Sequence, residues 1–329
     1  MPAFLLQGCR ALRNEMTLRC VIDCDPGVDD AMALWYGLLH PEIEIVAITT
    51  VWGNVRVETT TTNALRIVEM AGRASIPVAR GAARPLLGPE PSFTGIVHGR
   101  DGQGNTNLPA PTSRTVNETA AELLVRLAHE QPGELTLLPV GPMTNVGAAL
   151  ALDPGIAGLY KEVVLMGGNY AVPGNASKWG EANIWHDPEA AQMLFEAPWP
   201  IWAVGLDVTH KARLSEAQLD QLGASGTTAG KHLHAISQQY LELYSRRWGK
   251  RECSMHDALA LALAHDRELV TEAPRTRVDV ELNGAHTRGM TVAELRPGRV
   301  GGDDANAHVV LGVNTPRFID RWMTTICGT

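Results

Sequence analysis

Apolar positions along this chain repeat with two alternating periods. Short runs rich in apolar and β-branched residues at 18–22, 42–51, 76–79, 135–140, 162–166 and 200–206 read as strands. Between them the spacing widens to that of amphipathic helices at 30–39, 57–72, 116–130, 144–152 and 187–195. Pro41 stops the first helix after His40, and Pro188 suits the first turn of the helix that follows Asp187. Strands and helices in alternation make an α/β fold, an open and mostly parallel sheet flanked by helices in the Rossmann manner. From Arg277 the pattern changes to short alternating strands at 278–282 and 308–313 and a last helix at 316–326, a small additional β section near the C-terminus that packs on the main sheet. The helical pattern over 227–247 carries Tyr240 and Tyr244, with Trp248 just beyond. These three could face a planar ligand or serve helix packing, the latter most of all for Tyr240.

Two stretches depart from this alternation. Residues 84–111 are rich in Pro and Gly, with GIVHGRDGQGN at their centre. A loop of that length inside a compact domain is usually functional, and the expectation is a mobile flap that brings His98 to a site. Its glycines do not form a dinucleotide fingerprint, since Asn107 breaks the spacing and no strand-turn-helix frame surrounds them. Residues 1–17 carry arginine and short apolar runs but lack a proper apolar core after a basic start, as a signal peptide would have, and precede the first strand. They read as a disordered extension or start-site artefact, leaving residues 18–329 as a single domain.

Composition narrows the partners. The chain of 329 residues has 36 acidic against 28 basic side chains, a net charge of −8, which disfavours nucleic acid as a partner. No apolar run reaches the ~18–20 residues of a membrane span. Cys9, Cys20, Cys24, Cys253 and Cys327 are scattered without a CxxC pair, as expected of reduced thiols in a cytoplasmic protein, with Cys24 a small buried filler.

The densest chemistry is DCDPGVDD, residues 23–30. Asp23, Asp25, Asp29 and Asp30 lie between the first strand and the first helix, at the carboxyl end of a strand, where open α/β sheets bind ligands. The helix dipole offsets only ~0.3–1 kcal/mol per charge, so acids this close repel one another unless a cation joins them. An all-oxygen donor set favours Ca²⁺ or Mg²⁺ over zinc.

With DCDPGVDD, the segments TTVWGN (49–54), LPVGPMTN (138–145), VVLMGG (163–168), EANIWHDPEAA (181–191) and MHDALA (255–260) occur in an order that resembles the inosine-uridine-preferring nucleoside hydrolase family, over residue 18 to the C-terminus. The resemblance implies cleavage of the N-glycosidic bond of ribonucleosides to ribose and free base, in nucleoside salvage, with Ca²⁺ as cofactor and a homodimeric or homotetrameric assembly. It implies Asp25 as metal ligand and general base, Asp30, Asp257 and the main-chain oxygen of Val140 as further ligands, and His256 as the group that serves the leaving base. Substrate contacts are implied for Asp29, Asn54, Met166, Asn175, Glu181 and Asn183, and suggested by position for His98, Tyr244 and Trp248. As alternate residues of an extended stretch, Glu181 and Asn183 would project to one side. His256 is expected to titrate near neutral pH. Ala182 departs from the phenylalanine common in close relatives and leaves purine or pyrimidine preference open, with a lean to pyrimidine or broad inosine-uridine use.

Three rival readings remain. A haloacid-dehalogenase-like Mg²⁺ phosphatase shares the Asp-x-Asp turn but wants a small hydroxyl residue soon after it, where Pro26-Gly27-Val28 stands. An EF-hand fails because twelve-residue loops from Asp23 or Asp25 end at Leu34 or Tyr36 rather than at a glutamate. A catalytically silent nucleoside-binding protein differs from the enzyme only in turnover.

Overall fold

The computed structural model describes residues 17–89 and 91–328, so the N-terminal extension, apart from Thr17, lies outside the described residues. The first half of the chain supplies β1 (Leu18–Cys24), α1 (Val28–Leu39), β2 (Ile43–Thr50), α2 (Val57–Met70), β3 (Val78–Arg80), α3 (Ala120–Glu130), β4 (Thr136–Pro139), α4 (Thr144–Leu152) and β5 (Glu162–Met166). The second half adds α5 (Ala182–His186), α6 (Pro188–Glu196), β6 (Ile201–Val204), α7 (Leu206–Thr209), β7 (Arg213–Ser215), α8 (Glu216–Ala224), α9 (Thr228–Trp248), β8 (Glu252–Ser254) and α10 (His256–His265). Short strands β9 (Val270–Glu272), β10 (Arg275–Thr276), β11 (Val278–Val280), β12 (Thr291–Ala293), β13 (Ala307–Val309) and β14 (Gly312–Val313) precede α11 (Thr315–Cys327).

Eight strands form the main sheet in the order β10-β13-β6-β5-β4-β1-β2-β3, parallel throughout except for the β10–β13 pair. The chain runs outward from β1 through β2 to β3, then returns to the other side of β1 with β4. The topological switch point therefore falls between β1 and β4, where such sheets open a crevice at their carboxyl ends. Alternate residues of β1 serve opposite faces. Cys20, Ile22 and Cys24 join a core with α1, α9, α10 and α11, while Val21 joins one with α3, α4 and α6. Burial on both faces explains the unbroken apolar runs in the central strands. Ile22 is fully buried between β2 and β4, and its truncation to alanine would cost about 2–5 kcal/mol.

Three details correct the sequence reading. Helix α3 begins at Ala120 rather than 116, because Thr119 and Glu122 form a capping box that fixes its start. The small β section near the C-terminus is present as the antiparallel pairs β11–β12 and β14–β9, but its expected strand at 308–313 breaks into β14 and β13, which pairs with β6 and extends the main sheet. Residues 181–183 are not extended. Glu181 is the N-cap of α5 and its carboxylate accepts from Asn183 N and Ile184 N, which curls the segment into a helix.

Candidate active site

Asp30 closes the acidic turn on itself: Oδ1 accepts from Asp25 N (3.1 Å) and Oδ2 from Gly27 N (2.9 Å), satisfying donors at the start of α1. Asn54, delivered by the end of β2, donates its backbone N–H to Asp25 Oδ2 (2.6 Å) and its amide to Asp25 O and Asp30 Oδ2 (both 3.1 Å). Gly53 permits this approach, since a Cβ there would lie 2.1 Å from Asp25 Oδ2. Asp257, in the first turn of α10, arrives from the far end of the chain. Oxygens of Asp29, Asp30 and Asp257 lie within 4.8 Å of one another, with Asp25 beside them.

All four carboxyls are buried, and among the described residues no lysine or arginine forms an ion pair with any of them. Burial and then mutual repulsion push Asp25, Asp29 and Asp257 well above the usual carboxylate range. Asp29 Oδ1 has no hydrogen-bond partner, and its nearest ion-pair contact is His98 Nδ1 at 3.8 Å. An uncompensated cluster of buried oxygens with an orphaned acceptor fits a hard divalent cation. Asp23 stands apart from this group. It pairs with Thr49 across the sheet, and its Oδ1 accepts from Thr49 Oγ1 (2.6 Å) and Asn145 Nδ2 (2.7 Å), so it braces the rim.

Above the acids opens a cavity of about 250 Å³. Asp25, Asp29, Asn54, His98, Val140, Met166, Asn175, Glu181, Asn183, Tyr244, His256 and Asp257 all line it. Asp30 lies just beneath it, and Trp248 is set back behind Tyr244, with the Arg213 guanidinium 3.8 Å over its ring. Asn183 Nδ2 donates to Val140 O (2.8 Å) and Met166 O (3.1 Å), which leaves its Oδ1 as an acceptor. Asn175 Oδ1 accepts from Ala182 N (2.9 Å), leaving its amide hydrogens to donate. Glu181 also accepts from Gly168 N (2.9 Å), yet burial still raises its carboxyl to about 7.

The opposite wall comes from α9, α10 and the 84–111 loop. His256 bridges Thr209 Oγ1 (2.7 Å, to Nδ1) and Tyr244 OH (2.9 Å, to Nε2). The expected titration near neutrality is not met: burial, then His210, His98 and Arg247, hold His256 well below the usual histidine value. Its two ring nitrogens thus sit in a hydrogen-bonded chain from Thr209 to Tyr244. The 84–111 loop does bring His98 to the cavity, and its centre is tied to the acidic turn. Asp101 accepts from Gln103 N, Asn105 N and Asn107 N, and Asn63 Nδ2 bridges Asp101 O to Pro26 O. Gln103 Nε2 donates to Gly27 O (2.9 Å), and Gly104, at φ 66°, passes against Ile236 O where a Cβ would lie 2.3 Å away. His98 itself accepts from Val28 N (3.1 Å), stacks on Tyr240 and is lowered to about 3 by burial.

Sequence reasoning missed Arg247 and His186 as lining residues and gave Tyr240 too little weight. Spacing held the signal for two of them: Tyr240 and Arg247 fall four before and three after Tyr244, on one helix face. His186 packs between Trp52 and Trp185, and its signal was its place in the segment EANIWHDPEAA.

A parallel α/β sheet with a carboxylate cluster, amide-lined cavity and histidine-tyrosine wall at its switch point defines a ligand-processing enzyme of the cation-assisted hydrolase kind. Residues 20–320 match the profile of the inosine-uridine preferring nucleoside hydrolases, and the chain belongs to that family, an enzyme acting on N-glycosidic bonds. It is 39% identical over 287 residues to the inosine-uridine preferring nucleoside hydrolase of Leishmania major, covering 85% of this chain and 89% of that one. To the pyrimidine-specific ribonucleoside hydrolase RihA of Salmonella arizonae it is 36% identical over 306 residues, 93% of this chain and 97% of the other. The solved purine-preferring ribonucleoside hydrolase of Gardnerella vaginalis superposes with a TM-score of 0.89 at 33% identity, over 94% of this chain and 98% of that one. Membership displaces the phosphatase and EF-hand readings.

Proposed function

We propose that this enzyme hydrolyses ribonucleosides of the inosine-uridine type, pyrimidine nucleosides included, to ribose and free base with Ca²⁺ as cofactor, and serves nucleoside salvage. The observation that carries this reading is the convergence of Asp29, Asp30 and Asp257, with an orphaned Asp29 oxygen, at the foot of a cavity walled by amides on one side and by His256–Tyr244 on the other. Asp25, Asp30, Asp257 and the Val140 carbonyl are the groups to hold the cation, which when bound lowers the pKa of a water. Asp25 would take the proton of the water whose oxygen attacks C1′ of the ribose. Asp29 accepts from a ribose hydroxyl, Asn183 Oδ1 from the 2′ side, and Asn175 and Glu181 engage the 5′-hydroxyl. Asn54 fixes Asp25 and Asp30 while facing the sugar, and Met166 lies beneath it. As the C1′–N bond breaks, its electron pair stays on the base, and the chain Thr209–His256–Tyr244 delivers the hydrogen bond or proton that stabilises it. His98 and Tyr240 close the remaining side.

A reducing compartment, the cytoplasm, is supported by the unpaired Cys20, Cys24, Cys253 and Cys327. A homodimer or homotetramer is supported by the exposed apolar Leu87, Ile96 and Trp185 around the cavity mouth. Light scattering should give a multiple of the 35.5 kDa chain mass; a 35.5 kDa particle contradicts the assembly. The reaction is tested by base release from uridine, cytidine, inosine and adenosine after chelation and after return of Ca²⁺ or Mg²⁺. Turnover should vanish on chelation and return best with Ca²⁺, and no base release from any nucleoside would leave a silent binding protein.

A further inference from the structure

At the other end of the two helices that carry the acids, His40, Glu42 and His265 offer ligand atoms within 4.8 Å of one another. His40 is the C-cap of α1, whose twelve residues run about 18 Å from the turn that bears Asp29 and Asp30. His265 is the last residue of α10, whose first turn carries His256 and Asp257. Both helices thus finish at this cluster, and the unpaired carbonyls of their last turns bias it toward a cation. The two imidazole rings lie 4.5 Å apart, tilted at 59°. Glu42 Oε2 is 3.3 Å from His265 Nε2, and the Glu42 backbone N–H donates to His40 Nδ1 (3.2 Å).

All three side chains are partly exposed, so an ion can reach them. Arg321 reaches the cluster from α11 but is itself paired with Asp266. Two imidazole nitrogens and one carboxylate make a donor set for zinc, unlike the oxygen-only cluster in the cavity. Ligand atoms around a tetrahedral Zn²⁺ stand roughly 3.3–3.5 Å apart, a contraction that side chains at a half-exposed site can supply by rotamer adjustment. Ligation of His40 through Nε2 moves its proton to Nδ1 and gives up only the 3.2 Å contact to Glu42 N.

We propose that His40, Glu42 and His265 form a Zn²⁺ site that clasps the distal ends of α1 and α10, with water in the fourth position. The site lies apart from the cavity, and the proposal stands independently of the substrate reading. The test is calorimetric titration of the Ca²⁺-saturated enzyme with Zn²⁺, paralleled by the visible spectrum with Co²⁺, for the unaltered chain, Glu42→Gln, His40→Ala/His265→Ala and Arg321→Gln. One Zn²⁺ per chain is expected, with a Co²⁺ spectrum of low coordination number and a melting temperature raised by a few degrees. Glu42→Gln, a surface change, should weaken binding about tenfold, and the double variant should abolish it while keeping its circular dichroism. Arg321→Gln should tighten binding severalfold by removing a competing cation. Absence of one-to-one binding to the unaltered chain, or binding that survives in a folded double variant, overturns the proposal.

Discussion

On the floor of the cavity Asp25, Asp30 and Glu181 are held mainly by main-chain donors, whereas the wall opposite is held mainly by side chain against side chain. Asp25 and Asp30 receive the backbone N–H groups of Asn54, Asp25 and Gly27, and Glu181 receives those of Gly168, Asn183 and Ile184. On the wall, His98 stacks on Tyr240, Tyr240 meets Tyr244 edge-on at 4.8 Å, and Tyr244 reaches both His256 and Trp248. Main-chain donors belong to the fold and survive substitution of their residues, while each wall contact can be exchanged one residue at a time. On the proposed function, ribose and cation contacts fall on the floor, which the fold itself holds, and base contacts fall on the exchangeable wall. Of the proteins similar to this chain, one is named pyrimidine-specific and another purine-preferring.

The largest effect belongs to the floor. Asp30→Asn or Asp257→Asn should lower kcat/KM by roughly 10³-fold or more for every nucleoside alike, because each removes a charge from the cation cluster; calorimetry should show the matching loss of Ca²⁺ binding. On the wall, His256→Ala should cost roughly 10²-fold, within the usual range for a proton-transfer group, and unequally between uridine and inosine, as base-release rates would reveal. An equal loss on both would merge wall with floor. Tyr244→Phe keeps the ring and removes only the hydroxyl bonded to His256, so about tenfold is expected, carried by kcat rather than KM. The smallest effect on turnover is at His232, where the wall helix α9 meets the floor helix α1. Trp35 Nε1 donates to His232 Nδ1 (2.8 Å), and burial lowers this histidine to about 4. Its folded value lies below the unfolded value of about 6.5, so the unfolded chain takes up the proton first. The stability it contributes is full above about pH 6.5 and is lost as pH falls toward 4, on the order of 2–3 kcal/mol. His232→Gln should flatten that slope in urea unfolding, with turnover at pH 7 little changed.

How much of this was legible in the sequence follows the same division. The acidic turn could be read directly, since a strand end, a turn and a helix start lie within eight residues and bring Asp25, Asp29 and Asp30 together. Asp257 and Val140 came through resemblance of segments, not through local pattern, because their convergence depends on the order of strands. Asp23 looked like a fourth member of the cluster, but the pleat turns it toward Thr49. The capping role of Glu181 was hidden because five residues of α5 show no period. The anchoring of the 84–111 loop rests on Asn63 and Gln103 meeting the acidic turn across long sequence separations, and composition alone read it as a flap. His256 lines the cavity, but the sequence did not show what lowers its pKa, since burial apart the groups that do so, His210, His98 and Arg247, come from three other segments.

The central claim, that the floor reads the ribose and the wall reads the base, is tested most directly by kcat/KM for uridine and 2′-deoxyuridine, with Ca²⁺ saturating, in the unaltered enzyme and in Tyr244→Phe. Removing the 2′-hydroxyl strands buried polar groups at about 1–3 kcal/mol each, so a preference for uridine of roughly a hundredfold or more is expected. That ratio should persist in Tyr244→Phe even as the absolute rate falls. Equal efficiency on the two nucleosides, or a ratio that collapses with the wall substitution, would contradict the account.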